Sequence, residues 1–552
     1  MIKRYAVIGG IAGGVSAAMR LRRLDEHAQI TIFERGSQIS FACCSMPYYI
    51  GGVVEKDDLS CISPESIRQT YDIDVKLLHD VLGINRHNKQ IEVRDLQTGQ
   101  ESNYAFDKLI IATGSVVSKP PLFDRELPGV FKLKGREDML ALSDFIEKSH
   151  ARRAAVIGGG AIGLQTAENL SRRGIKTCVI EREDHAVPFM DRDMARFAKA
   201  ELENNGIALV KGTTVSELIE TDEGMRLELM DGRSVFVDIV VVSTGMKPDV
   251  TLARKAGLGI GITGGIIVDE KQQTTDKDIY AVGDAVELEC VSGGKVLLPM
   301  AAPAVRQGHV AADNICGISS KYRHVLGIRI IKLFDIQLAG AGLTEVQLAE
   351  RGIRYEKVYT RSNSHDSFFS RAEPLTVKLL FDRKNGRVFG VQIAGRTGVD
   401  KRLDVFAAAM QTGLTADRLA DLELAYAPML GTPKDAVNIA GSAASDVMAG
   451  LTDVVHWHDI QPESGYLLLD VRGKEERLGG SIDGSLHIPL AQLRDRIGEL
   501  PAGREILAYS QYGRRGYLAE RMLKQHGFTA RNLSGGYGLY SLFRGSRTGE
   551  GI

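Results

Sequence analysis

Two adjacent cysteines, Cys43 and Cys44, sit in the run ISFACCSMPYYIGG at residues 39–52, between a glycine-rich opening and a Pro-Tyr pair. A thiolate near a helix N-terminus is stabilised and attacks sulfur, so these side chains point to thiol, disulfide or persulfide chemistry. The cysteines of the 552-residue chain, at 43, 44, 61, 178, 290 and 316, form no disulfide framework and no CxxC pair of the kind that holds zinc. No metal centre is expected. Reactive thiols in a reducing, cytoplasmic compartment fit this usage better than structural disulfides.

Glycine supplies the second chemical signal. YAVIGGIAGG, residues 5–14, runs a short apolar strand into Gly9, Gly10, Ala12, Gly13 and Gly14, followed by the helix-like SAAMRLRRL. Gly9 and Gly14 hold the outer positions of GxGxxG, while Ile11 stands where the middle glycine belongs. Such glycines let backbone N–H groups approach a pyrophosphate at a helix N-terminus. The next run, QITIFE, ends in Glu34, where an acid takes a ribose hydroxyl. The pattern returns at residues 154–181, with Gly158, Gly160 and Gly163 in full register, Ile162 between them, and Glu181 closing the following strand. Glu181 accepts from an adenosine ribose and repels a 2′-phosphate, which favours NADH over NADPH; Arg182 beside it works against that preference.

A chain of this length needs several domains to position such residues, about three to five. Its 69 basic and 70 acidic side chains are well mixed and leave a net charge of −1, so no global field points to nucleic acid or an anionic membrane. No stretch of about 20 apolar residues spans a bilayer, and MIKRYAVIGG enters a strand without a signal-peptide pattern. Small-molecule chemistry is the class that remains.

Three further segments decide which nucleotide sits where. LIIATGS (109–115) and VVVSTGMKPD (240–249) are apolar strands ending in the turns Thr113–Gly114 and Thr244–Gly245–Met246, and DIYAVGDA (278–285) places Asp284 after Gly283. In this order, spanning the second glycine motif, they resemble the two-dinucleotide flavoprotein disulfide reductases. The resemblance implies FAD on residues 1–113 and 246–322. Asp284 falls at the ribitol, and Gly9, Gly10, Ala12, Gly13, Gly14, Glu34, Arg35, Ser40, Thr113, Gly114 and Ala302 fall among the FAD-binding positions. It implies NAD(P)H on residues 114–245, at Gly158, Gly160, Ile162, Gly163, Glu181 and the Gly245–Met246 turn. Glu168, on the helix after the second loop, lies near the nicotinamide on this reading, or is an ordinary exposed helix residue.

The larger subgroup of that superfamily carries a CxxxxC pair and a C-terminal His–Glu base. Here the cysteines are adjacent and the corresponding segment reads AYAPMLGTPKD. Adjacent cysteines rarely close a disulfide, because the small ring strains the peptide between them. One sulfur is therefore expected to cycle against an external partner. Single-cysteine NADH peroxidases and oxidases carry a His in the first glycine loop; GGIAGG has none. SFACCSMPYYIGG resembles instead the SFxxCxxPYYIGG of coenzyme A disulfide and persulfide reductases, which puts Cys44 at the redox position and Cys43 where Asn is usual. The same resemblance assigns Ser16, Arg20, Arg23, Ser40 and Arg306 to coenzyme A; on physical grounds RLRR reads equally as a solvated helix face. It also brings two tyrosines from a partner subunit over the sulfur. One matches Tyr426, the other falls at Phe368, and a homodimer is implied.

Residues 323–445 fit the dimerisation domain of that family, with a hairpin turning near Asn385–Gly386. After GSAASDVMAG, small and polar enough to place a linker at 446–455, residues 456–552 alternate strands with a helix. DVR with Asp470, GSIDGSLHIP and the loop SQYGRR resemble a rhodanese domain, whose loop normally presents a cysteine. Here that position holds Ser510, which cannot form a persulfide. Either the fold is a natural binding module or Ser510 replaces an original cysteine.

The expected architecture is α/β: two Rossmann-like dinucleotide-binding domains, an α+β dimerisation domain and a C-terminal rhodanese-like α/β domain. The expected function is FAD-dependent NADH oxidation coupled to reduction of coenzyme A disulfide, coenzyme A persulfide or polysulfide through Cys44. The alternatives are an NADH oxidase or peroxidase, and a sulfur or redox sensor with a non-catalytic rhodanese module.

Overall fold

The computed structural model of the chain describes residues 2–118, 120–124, 127–461 and 464–544. Cα packing divides the chain into two units: residues up to 186 together with 202–325, and residues 187–201 together with 326 onward.

The first unit repeats one plan twice. Runs such as YAVI and LIIA are apolar on both faces, which suits strands covered on both sides of a parallel sheet. The first five-stranded parallel sheet runs Ile279–Ala281, Lys108–Ile111, Arg4–Ile8, Gln29–Glu34, Asp74–Leu77. The second runs Ala208–Lys211, Lys176–Glu181, Arg153–Ile157, Ile239–Val242, Val130–Lys132, again parallel throughout. A three-stranded antiparallel sheet accompanies each, beginning at His79–Asn85 and at Val215–Thr221. The short strands Ser115–Val117 and Met246–Pro248 pair antiparallel, with Met246 opposite Val117. The two Thr-Gly turns therefore lie where the chain passes from one sheet to the other and back.

The second unit contains a five-stranded antiparallel sheet in the order Arg329–Leu333, Ile336–Gly342, Val388–Gly395, Pro374–Phe381, Glu356–Asn363. The hairpin at Asn385–Gly386 forms as expected, with Gly386 at φ +71°. A parallel sheet follows, in the order Val454–Val455, Ala530–Leu533, Ile506–Tyr509, Leu467–Asp470, Leu486–His487, with the helix Arg514–Gln525 after its central strand.

Two segments differ from the sequence expectation. Most of GSAASDVMAG belongs to the helix Ala436–Met448. Its small residues serve close packing: a Cβ on Gly441 would stand 2.4 Å from the Ala420 nitrogen. Val454–Val455, also assigned to the linker, is already a strand of the C-terminal sheet. The second difference is the segment 187–201, which groups with the second unit. Lys378, fully buried, brings its ammonium 2.8 Å from Asp191 and 2.9 Å from Asp193, and also pairs with Glu345. An ammonium out of water needs such partners, and the carboxylates of the segment supply them. Among the described residues no helix is long and apolar enough to cross a membrane.

Candidate active site

Both glycine loops are built alike. At Gly9, φ is +104° and a Cβ would stand 2.2 Å from the Ala112 carbonyl oxygen; at Gly158, φ is +110° and the Ser243 oxygen is 2.3 Å away. Only glycine passes through either point. Glu34 accepts the N–H of Gly10 at 2.6 Å and that of Gly36 at 2.6 Å. Glu181 accepts the N–H of Gly159 at 2.6 Å and that of Glu183 at 2.8 Å. The two acids thus hold their loops. A Cβ on Gly160 would meet nothing within 4 Å, so the N-terminus of the helix Ala161–Arg172 opens onto free space of the kind a pyrophosphate enters.

Around Asp284 the structure adds residues that sequence reading missed. Its carboxylate accepts the Ser115 hydroxyl at 3.0 Å, and Lys134 donates to the same hydroxyl at 3.1 Å. Burial pushes the Asp284 carboxyl up, while Ser115 and Lys134 pull the other way. Gly283 donates its N–H to Gln307 Oε1 at 2.6 Å, and the buried Gln307 Nε2 has no partner among the described residues. A buried amide donor left open beside Gly283, together with the glycine loop, fits a dinucleotide on this sheet. Neither Lys134 nor Gln307 belongs to a motif, so no local signal marks them. Thr113 donates to the Asp249 carbonyl at 2.7 Å and Thr244 to that of Ser118. Asp249 N–H returns to Gly114 O at 2.9 Å, and Ser118 N–H to Gly245 O at 2.9 Å, so the two turns bind one another.

Cys43–Ser45 form a 3₁₀ turn that leads into the short helix Met46–Ile50. Cys44 is exposed and Cys43 half-buried. Burial pushes the Cys43 thiol up; Lys134 opposes this, while Cys44 and Asp284 add to it. Cys43 therefore feels two members of the Asp284 cluster, Lys134 and Asp284 itself. On the other side, the Tyr48 hydroxyl accepts from Gln165 at 3.0 Å, and its pKa is raised by burial and Glu168, with a smaller contribution from Cys44. Glu168 is 4% exposed, which removes the reading of it as an ordinary exposed helix residue. One of its oxygens accepts from Arg172 at 3.0 Å; the other is buried and has no hydrogen-bond partner among the described residues. Its burial near Tyr48, a residue remote in the chain, is what no local pattern shows.

Of the residues assigned to coenzyme A, Ser16, Arg20 and Arg23 lie on the helix Ala12–Leu24 and Arg306 on the helix Ala301–Ile315, which pack together; Ser40 lies on neither. Ser16 donates to the Val305 carbonyl at 3.2 Å, and Arg20 pairs with Asp313 at 2.7 Å. Arg23 is exposed, and with Arg20 it adds to the burial that lowers the His309 pKa. Arg306 lies 5.5 Å from the Tyr322 ring centroid. The run RLRR is thus not a uniformly solvated face: Arg22 is 5% exposed and donates to the carbonyls of Tyr71, Asp25, Glu26 and Asp72. Ser40 takes φ +53° and donates its N–H to Gly10 O at 2.7 Å. Arg35 and Ala302 are exposed.

In the second unit, Tyr426, Phe368, Met429 and Leu430 are exposed large side chains on two neighbouring loops. The Tyr426 hydroxyl donates to Asp366 at 2.7 Å. In the C-terminal sheet Ser510 is 1% exposed and its oxygen accepts the Gly516 N–H at 3.2 Å. Arg472, fully buried, pairs with Asp470 at 2.9 Å, donates to Gln511 and Gly480 O at 3.0 and 2.7 Å, and lies 4.1 Å from the Tyr537 ring centroid. Burial would raise the Asp470 carboxyl, but Arg472 outweighs it and holds that group below the usual range. Arg515 makes two bonds to Glu476, at 2.7 and 2.5 Å.

Residues 3–308 match the family model for pyridine nucleotide-disulphide oxidoreductases, residues 328–437 the dimerisation domain of the same family, and residues 456–541 the rhodanese-like domain. The chain belongs to the pyridine nucleotide-disulphide oxidoreductases, an enzyme family that implies FAD and NAD(P)H as cofactors. It is 32% identical to an NADH oxidase of Methanocaldococcus jannaschii over 80% of this chain and 98% of the relative. It is also 32% identical to a coenzyme A disulfide reductase of Staphylococcus haemolyticus, over 81% and 100%. Among solved structures, reduced CoADR-RHD of Bacillus anthracis superposes with a TM-score of 0.96 at 39% identity, covering 99% of both chains. A NAD-dependent persulfide reductase from A. fulgidus gives 0.92 at 36%, covering 97% of this chain and 99% of that one.

Proposed function

We propose that this enzyme oxidises NADH and reduces coenzyme A disulfide, coenzyme A persulfide or polysulfide at Cys44, as a cytoplasmic homodimer. The observation that carries the reading is the exposed Cys44 thiol, set on a 3₁₀ turn next to Cys43, with no CxxxxC partner in the chain. FAD, when bound along Gly9–Gly14, Glu34 and Asp284, supplies the two-electron link between nicotinamide and sulfur. Gly158–Gly163 and Glu181 hold the NADH pyrophosphate and ribose, and Glu168 stands near the nicotinamide.

The Cys44 thiolate attacks the outer sulfur of a disulfide or persulfide, forming a mixed disulfide or Cys44 persulfide and releasing the first thiol or thiolate. Ser16, Arg20, Arg23, Ser40 and Arg306 offer cations and hydroxyls to the phosphates of coenzyme A. The partner subunit's Tyr426 covers the sulfur and orients the leaving group. That role gives the exposed loops around Phe368, Tyr426, Met429 and Leu430 an occupant, a second copy of the chain, and the match to a dimerisation domain supports it. The C-terminal domain, with Ser510 in place of a thiol, serves as a binding module in this chain.

The identity to an NADH oxidase favours a second reading, in which Cys44 cycles through a sulfenic acid. The loop GGIAGG, without His, argues for the first. Anaerobic NADH consumption by the FAD-loaded protein decides between them. Turnover with coenzyme A disulfide or persulfide is expected; turnover with oxygen or peroxide alone would give the function to the oxidase reading.

A further inference from the structure

We infer that Asp366 is a positioning residue for Tyr426, fixing the direction of its hydroxyl where it meets the sulfur substrate. The inference rests on the reading that Tyr426 serves the Cys44 of a second subunit.

Three observations support it. The Tyr426 hydroxyl donates to Asp366 Oδ2 at 2.7 Å, a charge-assisted bond. The two residues sit on loops already tied together: Asp366 donates its own N–H to the Pro428 carbonyl at 3.2 Å, and Leu430 and Gly431 N–H close a turn onto Ala427 O at 2.8 and 3.0 Å. Behind them, buried Arg402 pairs with Asp435 at 2.8 Å and donates to Ser364 O and Gly398 O at 3.0 and 3.1 Å, which fixes the base of the Asp366 loop. An exposed carboxylate and phenol joined only by flexible chains would drift apart in water; these are held by backbone.

Among the described residues no other charged side chain hydrogen-bonds the Tyr426 hydroxyl. On the same loop the His365 ring is engaged with Ser364 Oγ and Ser370 O, at 3.1 and 3.2 Å. From the helix Val399–Gln411, Lys401 reaches the Ala425 carbonyl at 3.5 Å, and Arg402 is matched by Asp435. Glu423, on the Tyr426 segment, faces solvent. The hydrogen bond to Asp366 is the leading cause that holds the Tyr426 hydroxyl above the ordinary range. A phenol kept neutral in this way does not set a phenolate against an anionic thiolate. Where the related family has a second tyrosine this chain has Phe368, so the direction of the single remaining hydroxyl carries more weight.

The test compares Asp366→Asn, Asp366→Glu and Tyr426→Phe in the FAD-loaded full-length protein. NADH reduction of the flavin and kcat/KM for coenzyme A disulfide are followed from pH 6.5 to 10.5. Asp366→Asn is expected to leave flavin reduction unchanged, lower kcat/KM about fivefold to tenfold, and move its alkaline limb to lower pH; Asp366→Glu should recover most of the rate. Tyr426→Phe should lose rate and be insensitive to a further Asp366→Asn. A slow Tyr426→Phe enzyme beside an Asp366→Asn enzyme whose profile overlays the wild type overturns the Asp366 role alone. A Tyr426→Phe enzyme with wild-type rate and profile overturns the reading beneath it as well.

Discussion

The turn at Cys44, the proposed redox site, and the loop at Ser510 in the rhodanese-like domain are built in opposite ways. The first offers an exposed thiol on a short 3₁₀ turn, next to a second cysteine, Cys43, that feels Lys134 and Asp284 from distant parts of the chain. The second is a finished cradle: Ser510 is buried, Gly516 donates to it, Gly536 passes so close that its Cβ would stand 2.3 Å from Ser510 O, and Arg472 and Arg515 are matched by Asp470 and Glu476. The scaffold of a nucleophile can thus be complete where the nucleophile is an unreactive hydroxyl, and sparse where it is a reactive thiol. Chemistry here follows the atom at the apex more than the number of bonds behind it.

Exchanging the apex atoms breaks the comparison most directly. Cys44→Ser is expected to lower turnover with coenzyme A disulfide on the order of 10³-fold or more, while flavin reduction by NADH stays intact in stopped-flow absorbance. Cys43→Ser should change turnover about twofold at most. If the two variants rank the other way, Cys43 is the working sulfur.

Ser510→Cys should convert a chain without thiosulfate-to-cyanide transfer into one that has it. A thiol of ordinary pKa ≈ 8.5 in this loop is within reach of neutrality, and an aliphatic hydroxyl is not. Thiocyanate release is the measurement; a folded variant that forms none retires the sulfur-carrier reading of the loop and leaves only binding.

The cradle can also be broken from behind. Arg472→Met removes the buried partner of Asp470 and leaves it Arg477 and the Tyr509 hydroxyl, both at 3.1 Å, so the loss of stability should be about 1.5–3 kcal/mol, read by urea unfolding. Folding lowers the Asp470 pKa, so the unfolded chain binds that proton more tightly. Its contribution is therefore full above about pH 4 and lost as pH falls through the lowered folded value. Asp470→Asn should flatten that acid dependence, and an unchanged acid limb would show that Arg472 and Asp470 do not set it.

Sequence reading reached what is local. The glycine loops, Glu34, Glu181, the Thr-Gly turns and the Asn385–Gly386 hairpin are written in short spacings, because each is a backbone geometry that few residues adopt. It did not reach Lys134, Gln307, Glu168 burial or the Asp366–Tyr426 bond, which join residues remote in the chain. Nor did it separate small residues used for packing, as in Ala436–Met448, from small residues used for a linker. The segment 187–201 was read with the nucleotide domain because no local pattern announces that Asp191 and Asp193 are partners of Lys378.

The smallest expected effect contrasts the two glycine loops rather than the two sulfur loops. Glu34 and Glu181 hold equivalent backbone N–H groups at the same 2.6 Å, but on the proposed function only Glu181 meets the nucleotide whose 2′-position varies. Its carboxylate is fixed by Gly159 and Glu183, so it cannot swing away from a 2′-phosphate. Arg182, the residue that would welcome that phosphate, is exposed and paired with Glu183 at 2.9 Å. The balance favours NADH, by about tenfold in kcat/KM or ~1.4 kcal/mol. Glu181→Gln keeps an acceptor for the Gly159 N–H and removes the charge, so it should narrow the ratio mainly by improving KM for NADPH. A wild-type enzyme that prefers NADPH would mean that Arg182 leaves Glu183 for the phosphate and outweighs the carboxylate beside it.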